Sequence, residues 1–516
     1  MSASREKKQR QGGISDKVTQ ADQKQAAYKR KVRTYTAIGV VVVVLVAALL
    51  IWNSGFFQSR ATAATIGGEK LTAAELSYYY YDQRYTYVYA GLIDTSVPDD
   101  EQILNEEEGT TYHDFFVEQA IASAQSVQAR YDAALEAGYT EADIQDDLDA
   151  TMASLESSAA SQGTSVKGVL VSSYGKYMTE SIFERLTAKS LLANLYSNDK
   201  LEEFYDSYTS EELEAYYEEH KDSIDDFEYS YLYFTPADVE DTDEDGNELS
   251  DEEIEELEEQ ALADAKEKAE EALAAYEEGD TDVAALIEEY EPNTSGDHSV
   301  VTGSTSLSSG YREELLELDE GEAALVENGE SGYYVVIFHS RGRNEDLSAD
   351  IRHILFQAVA ATDEEGNLTA PTEEEWESAK AEADKVLAEY EAGDKTAEAF
   401  GELANEYSDD ASSNTEGGLY ENVTRGQFVD ELDQWIFDQE HQAGDVDIVR
   451  HEGDLDSLSS YWGYHLIYFQ GWGEAEWVMA VREDMSTDDT TAWEDELVEN
   501  GNYEGVAADG AKYLGT

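Results

Sequence analysis

Three polar residues lie in or beside apolar segments of the C-terminal half, where their side chains could do chemistry. His353 lies in the segment RHILF, His465 lies in GYHLI, and Asp410 follows a predicted helix. Imidazole and carboxylate groups can move protons, polarise a carbonyl group or bind a metal ion. Two histidines and one aspartate also suggest a metal triad, but no third histidine lies nearby in a ligand pattern. We therefore predict no metal or other cofactor.

The acidic stretch 241–252 is a second candidate for ion binding. Its acidic residues, from Asp241 to Glu252, have the spacing of a calcium loop. The segment before it, which contains Pro236, is predicted as a strand rather than the helix that such a loop requires. Chance matches are also expected in a chain with 116 acidic residues. Calcium binding is therefore kept as an alternative only.

The elements that position these residues belong to a strongly acidic chain of 516 residues, with a net charge of −83. Such a surface repels phosphate groups, so nucleic acid is excluded as a partner. It keeps the protein soluble and attracts cationic partners weakly. The chain has no cysteine, so packing and hydrogen bonds must hold it together.

The N-terminal segment predicts a membrane anchor. A basic tail, residues 1–34, precedes an apolar stretch within residues 35–57 that has the length of a transmembrane helix. Basic residues before the stretch place the N-terminus in the cytoplasm and the rest outside the cell membrane, with a single pass. The competing interpretation is a cleaved signal peptide with a site at residues 61–63. The long polar leader argues against it.

Residues 58–226 are predicted to be mainly helical. Thr72 and Glu75 have the spacing of a capping box at the start of the first helix. Its many tyrosines favour a packed core or a helix–helix contact, and a client-binding groove of exposed aromatic residues is the alternative. The helical patterns cover residues 73–90, 112–137, 140–160, 178–196 and 199–218.

The pattern then changes to strand–helix–strand, and this pattern occurs twice, in residues 227–344 and 345–475. Both copies begin and end with alternating apolar segments and have Ala/Glu/Lys-rich helices between them. The repeat has the size of tandem domains, each α+β with a small antiparallel sheet flanked by helices. The tail, residues 476–516, contains one helix and is expected to pack on the helical region.

The second copy resembles a parvulin-type peptidyl-prolyl isomerase domain. The resemblance rests on five segments in order: RHILF, FGELANEYSDD, EGG-L, RGQF and GYHLI. The helical region resembles the N-terminal chaperone region of SurA/PrsA-type extracytoplasmic foldases, although less specifically. The resemblance implies a four-stranded sheet wrapped by helices and isomerase activity on X-Pro bonds.

The resemblance also implies roles for individual residues. His353 and His465 correspond to the family's two core histidines, and Asp410 to its polar site residue. Residues that would line the proline pocket are Leu419, Phe428, Leu432 and Trp462. Leu432 stands where a phenylalanine is usual, and Trp462 where a small polar or aromatic residue is usual.

The first copy has different residues at all three polar positions. Tyr231 aligns with His353, Asn293 with Asp410, and Tyr334 with His465. We therefore predict that residues 227–344 form a parvulin-like domain without isomerase activity.

The sequence thus predicts an anchored foldase that binds unfolded or nascent secreted polypeptides and isomerises their X-Pro bonds. A non-catalytic holdase, which uses both parvulin-like domains as scaffolds, is the main alternative. The third hypothesis is an acidic adaptor whose binding to basic partners would fall steeply with added salt.

Overall fold

The computed structural model describes residues 25, 28–47, 49–50, 55–240, 242, 249–279, 283–290, 294–362, 368–455 and 461–515. The predicted transmembrane segment includes residues 48 and 51–54, and the calcium-loop candidate includes residues 241 and 243–248. Both of these sets lie outside the described residues, as does Asn293. Among the residues that are described, no helix combines the length and the apolar character needed to cross a membrane.

The chain forms two compact units, Met1–Asp206 with Ser486–Thr516 and Ser207–Met485. The N-terminal stretch of the first unit contains the helices α1 (Phe56–Ser59), α2 (Ala73–Tyr89), α3 (Tyr112–Ala137), α4 (Gln145–Ser161), α5 (Val166–Tyr174) and α6 (Glu180–Ser207). Its strands are β1 (Thr62–Ile66), β2 (Glu69–Thr72), β3 (Ile103–Asn105), β4 (Thr110–Thr111) and the C-terminal strand Gly505–Ala507, which pairs with β1.

The first unit has an aromatic core around α2. The predicted capping box is confirmed, since Thr72 and Glu75 satisfy each other's backbone amides. Tyr80 is fully buried and donates a hydrogen bond to Asp99, whereas Tyr89, at the end of the helix, is 86% exposed. The predicted helix break near residue 197 is wrong. The helix α6 continues to Ser207, with the Ser197 hydroxyl donating to Glu494.

The second unit begins with α7 (Ser210–Ile224) and contains two α+β segments in succession. The elements of the first segment are β5 (Asp226–Phe234), α8 (Asp251–Glu277), α9 (Val283–Tyr290), β6 (Thr294–Thr302), α10 (Arg312–Glu317), β7 (Ala323–Glu327) and β8 (Tyr333–Gly342). Those of the second are β9 (Leu347–Gln357), β10 (Ala361–Thr362), β11 (Leu368–Thr369), α11 (Glu373–Ala392), α12 (Ala397–Tyr407), β12 (Leu419–Val423), α13 (Asp430–Ile436), β13 (Val446–His451) and β14 (Gly463–Ala475). The helix α14 (Glu476–Asn500) follows, and its residues from Ser486 onward belong to the first unit.

Each segment builds a four-stranded antiparallel sheet, and the strand order is the same in both. The order is β6-β5-β8-β7 in the first and β12-β9-β14-β13 in the second. In each case the first and last strands of the segment are the central pair, because these strands carry the longest apolar runs and are covered on both faces. The long strands that the sequence predicted at 229–234, 332–338, 352–356 and 463–469 are confirmed.

The two faces of the second sheet support different cores. Alternate residues of β14 point to opposite faces. Leu466 and Tyr468 pack with α11 and α12, whereas Ile467 and Phe469 pack with α13. His353 and His465 lie on the second of these faces, at the end where the apolar core gives way to polar side chains. The alternation of the central strands therefore decides which side chains reach the site.

Candidate active site

The centre of the site is a stacked pair of histidines on the two central strands. The rings of His353 and His465 lie 5.4 Å apart and nearly parallel, and their Nδ1 atoms are 3.2 Å apart. Both side chains are buried, with 5% of the His353 side chain exposed. Buried polar groups of this kind need internal partners, because an unpaired group would cost the full desolvation penalty.

Asp410 supplies the partner at one end. Its Oδ2 atom lies 2.8 Å from His353 Nε2, and it also accepts hydrogen bonds from the hydroxyls of Ser413 and Tyr420. Its Oδ1 atom accepts from the hydroxyl and the amide of Ser412. The hydrogen bond from His353, with those from Ser412 and Ser413, holds the pKa of Asp410 well below its usual range. Asp410 is therefore a carboxylate.

Tyr461 supplies the partner at the other end, with its hydroxyl oxygen 3.2 Å from His465 Nε2. An ionised carboxylate only accepts hydrogen bonds, so His353 Nε2 must donate to Asp410. In a neutral ring, His353 Nδ1 then accepts from His465 Nδ1, and His465 Nε2 accepts from Tyr461. With both rings neutral, each group in this chain donates toward Asp410, and every hydrogen bond has one donor and one acceptor.

Two half-buried aromatic rings form an apolar wall beside this chain. The ring of Phe428 lies 6.0 Å from that of His353 and 5.0 Å from that of Tyr420. Tyr420 also lies 5.3 Å from His353, edge to face. Phe428 stands in the loop before α13, and Tyr420 is on the edge strand β12. These rings leave a partly exposed apolar surface next to a carboxylate and two imidazoles.

Two glycines bring the edge strand close enough to complete the site. Gly417 and Gly418 have φ angles of +72° and +66°, which disfavour side chains. A Cβ atom on Gly418 would collide with the backbone oxygen of His353. The backbone amide of His353 donates a hydrogen bond to the carbonyl oxygen of Gly418, at 2.9 Å. The segment EGG therefore allows β12 to place Tyr420 against His353.

The structure brings His353, Asp410, His465 and Phe428 together, and it corrects the placement of the other three predicted residues. Leu419 pairs with Arg352, so it lies on the opposite face of the sheet, and Tyr420 takes its place. Trp462 is 5% exposed and packs in the core on that opposite face. Leu432 is fully buried beneath the site, where it packs among core residues and offers no surface to a client.

Four residues of the site were not predicted from the sequence: Ser412, Ser413, Tyr420 and Tyr461. Ser412 and Ser413 had a local signal, because an aspartate followed by serines commonly accepts hydrogen bonds from the residues just after it. Tyr420 is found only when the register of β12 against β9 is known. Tyr461 lies 51 residues beyond Asp410 and carries no local signal at all.

Comparison with known proteins agrees with this site. The family model described as Rotamase, the PPIC-type PPIase domain, matches residues 353–471. That range begins at His353 and includes Asp410 and His465. The second α+β segment is therefore a parvulin-type peptidyl-prolyl isomerase domain.

Solved PrsA structures are also similar to the chain. Peptidylprolyl isomerase (PrsA) from Bacillus anthracis is 18% identical, with 30% of this chain and 59% of that chain covered and a TM-score of 0.17. PrsA from Bacillus subtilis is 15% identical, with 48% of this chain and 80% of that chain covered and a TM-score of 0.15. Foldase protein PrsA from Streptococcus pneumoniae is 16% identical, with 47% of this chain and 79% of that chain covered and a TM-score of 0.20. The chain thus spans under two thirds of the B. anthracis protein. No curated protein sequence gives a significant match.

The site predicts a specific dependence of stability on pH. Burial lowers the pKa of His465 to about 3. Below pH ~6.5 this histidine is protonated in the unfolded chain but stays neutral in the folded domain. The free energy of unfolding should therefore fall as the pH falls from about 6.5 toward 3, by at most about 1.4 kcal/mol per pH unit.

Hydrogen exchange of β14 at pH 7 and pH 5 in native protein and His465→Asn measures this effect. Comparing the two proteins cancels the titration of the groups that do not interact with His465. The native protein should lose about 1–2 kcal/mol more protection than the variant. Equal losses in both proteins would contradict a neutral His465. Asp410 does not interfere, because its lowered pKa affects stability only below pH ~3.8.

Proposed function

We propose that this chain is a membrane-anchored extracytoplasmic foldase whose isomerase domain interconverts cis and trans X-Pro bonds of exported, unfolded polypeptides. The observation that carries the proposal is the hydrogen-bonded chain from Asp410 through His353 to His465 beside the half-exposed ring of Phe428. It lies within the range matched by the isomerase family model.

The geometry suits a reaction in which no covalent bond breaks. Rotation about an X-Pro bond must overcome a barrier of ~18–20 kcal/mol that arises from amide resonance. Phe428 and Tyr420 offer an apolar wall for the proline ring, which removes water from the amide. The fixed charge and dipoles of Asp410 and the histidine pair face that amide, where they can stabilise the twisted state without reorganising.

The proposed roles of the other regions rest on separate observations. The first α+β segment has the strand order of the isomerase domain. Its strand register also places Tyr231 and Tyr334 at the positions of His353 and His465. We assign it as a parvulin-like domain without activity, because tyrosines replace both imidazoles. The anchor is proposed from the basic tail and the apolar stretch of the sequence.

A protease-coupled assay of the full chain with Ala-Pro peptides tests the isomerase function. We expect the rate of isomerisation to rise linearly with protein concentration well above the uncatalysed rate, which has a time constant of tens to hundreds of seconds. The assay should include peptides with several different residues before proline. No acceleration with any of these peptides would contradict the proposal.

A holdase is the second candidate, and exposed aromatic side chains on α2 favour it. Tyr85 is 69% and Tyr89 is 86% exposed, and Leu92 just after the helix is 58% exposed. Exposed apolar surface of this kind marks sites of interaction with other proteins, and unfolded polypeptides offer matching apolar side chains. Suppression of client aggregation without any isomerase activity would support the holdase, whereas both activities together would support the foldase.

A further inference from the structure

A histidine–carboxylate pair that the mechanism above does not use lies next to Tyr461. His451, the last residue of β13, has its Nδ1 atom 3.0 Å from Oε2 of Glu431 on α13. The His451 side chain is 12% exposed. The hydrogen bond from His451 lowers the pKa of Glu431, although burial opposes this change. The pair therefore links a helix to a strand at the edge of the site.

The His451 ring is in contact with the ring of Tyr461. The two ring centroids are 4.8 Å apart, with an angle of 51° between the planes. On its other side, Tyr461 lies 5.7 Å from the His465 ring and its hydroxyl meets His465 Nε2. Tyr461 is thus held between His451, on the outside, and His465, in the centre of the site.

The backbone beside Tyr461 is held at Trp462, whose carbonyl accepts a hydrogen bond from the amide of Ala358 at 2.8 Å. The ladder between β13 and β14 ends with the pair His451 and Gly463, so Tyr461 lies two residues beyond the last paired position. Burial raises the pKa of Tyr461 to about 12, so its hydroxyl is protonated and can donate. Its side-chain contacts must therefore fix the direction in which that hydroxyl points.

We infer that His451 and Glu431 are positioning residues for the isomerase site, which hold Tyr461 against His465 and so fix the tautomers of both site histidines. Glu431 orients the His451 ring, the ring confines Tyr461, and Tyr461 donates to His465 Nε2. His465 must then carry its proton on Nδ1, facing His353. This inference rests on the proposed function for its effect on catalysis but not for its effect on the tautomers.

Imidazole ¹⁵N NMR of the full chain tests the tautomers directly, with Glu431→Ala, His451→Ala and Tyr461→Phe compared with the native protein. The native His465 should show a protonated Nδ1 and a bare Nε2. All three variants should shift its Nε2 signal in the same direction, because that atom loses its donor. Unchanged His465 signals in Glu431→Ala and His451→Ala would overturn the inference, whether or not the protein is an isomerase.

The isomerase assay supplies the second readout. Each of the three variants should lower kcat by about three- to tenfold with little change in KM, since one hydrogen bond within a network is lost. Glu431→Gln should restore most of the activity that Glu431→Ala loses, because its amide oxygen can still accept from His451. The double variant His451→Ala/Tyr461→Phe should be no slower than Tyr461→Phe, and additive losses would contradict a shared path.

A matched pair in the same domain serves as the control. His441 Nδ1 lies 3.4 Å from Asp445 Oδ2, and the His441 side chain is 16% exposed, close to the value for His451. Asp445→Ala removes the acceptor of this pair, as Glu431→Ala does for His451, without touching Tyr461. Its kcat and its His465 signals should equal those of the native protein. An equal loss of kcat in this control would mean that the Glu431 variants act through general destabilisation.

Discussion

Asp410→Ala is expected to lower kcat/KM on Ala-Pro peptides by about 10- to 100-fold, which is the effect of removing a charged partner from a buried hydrogen bond. The carboxylate accepts hydrogen bonds from His353, Ser412, Ser413 and Tyr420. Without it, His353 Nε2 is left buried with no acceptor, and the tautomers of the histidine pair are no longer fixed. The protease-coupled assay measures the loss, with circular dichroism to verify folding.

Asp409→Ala is the matched control for this prediction. Asp409 is adjacent in sequence, and its carboxylate accepts a hydrogen bond from the amide of Gln357 rather than from the site histidines. Its kcat/KM should stay within about twofold of the native value. Equal activity of Asp410→Ala and the native protein would exclude Asp410 from catalysis. Residual activity above background in Asp410→Ala/His353→Ala would instead point to the first α+β segment.

Trp462→Ala is expected to destabilise the isomerase domain by about 3–5 kcal/mol, the usual cost of removing a large aromatic side chain from a core. The indole ring is 5% exposed and packs with the apolar cluster beneath α11 and α12, which includes Ile354, Phe356 and Leu466. It points away from the histidine pair, because it packs in the apolar cluster on the opposite face of the sheet. Urea unfolding followed by tryptophan fluorescence measures the loss.

The same variant distinguishes a core role from the pocket role that the sequence suggested. At a temperature where Trp462→Ala stays folded, its KM should be close to the native value. Trp462→Phe should recover part of the stability and all of the activity. A raised KM or an altered preference for the residue before proline, with stability unchanged, would return Trp462 to the substrate pocket.

Several features of this protein follow from the sequence alone. The apolar segments around His353 and His465 predicted the two central strands, and the capping box at Thr72 predicted where α2 begins. The ordered segments from RHILF to GYHLI predicted the isomerase domain that the family model matches. These predictions succeeded because strand alternation, helix capping and short motifs are encoded by residues close together in the chain.

Only the tertiary structure decided which side chains reach the site. A shift of one residue along a strand moves a side chain to the other face, so Tyr420 rather than Leu419 meets His353, and Trp462 lies in the core. The contacts of Tyr461 with His465 and His451 depend on how β13, β14 and α13 pack together. Residue types and local spacing do not specify such contacts, because they arise from strand register and from packing between elements that are distant in the chain.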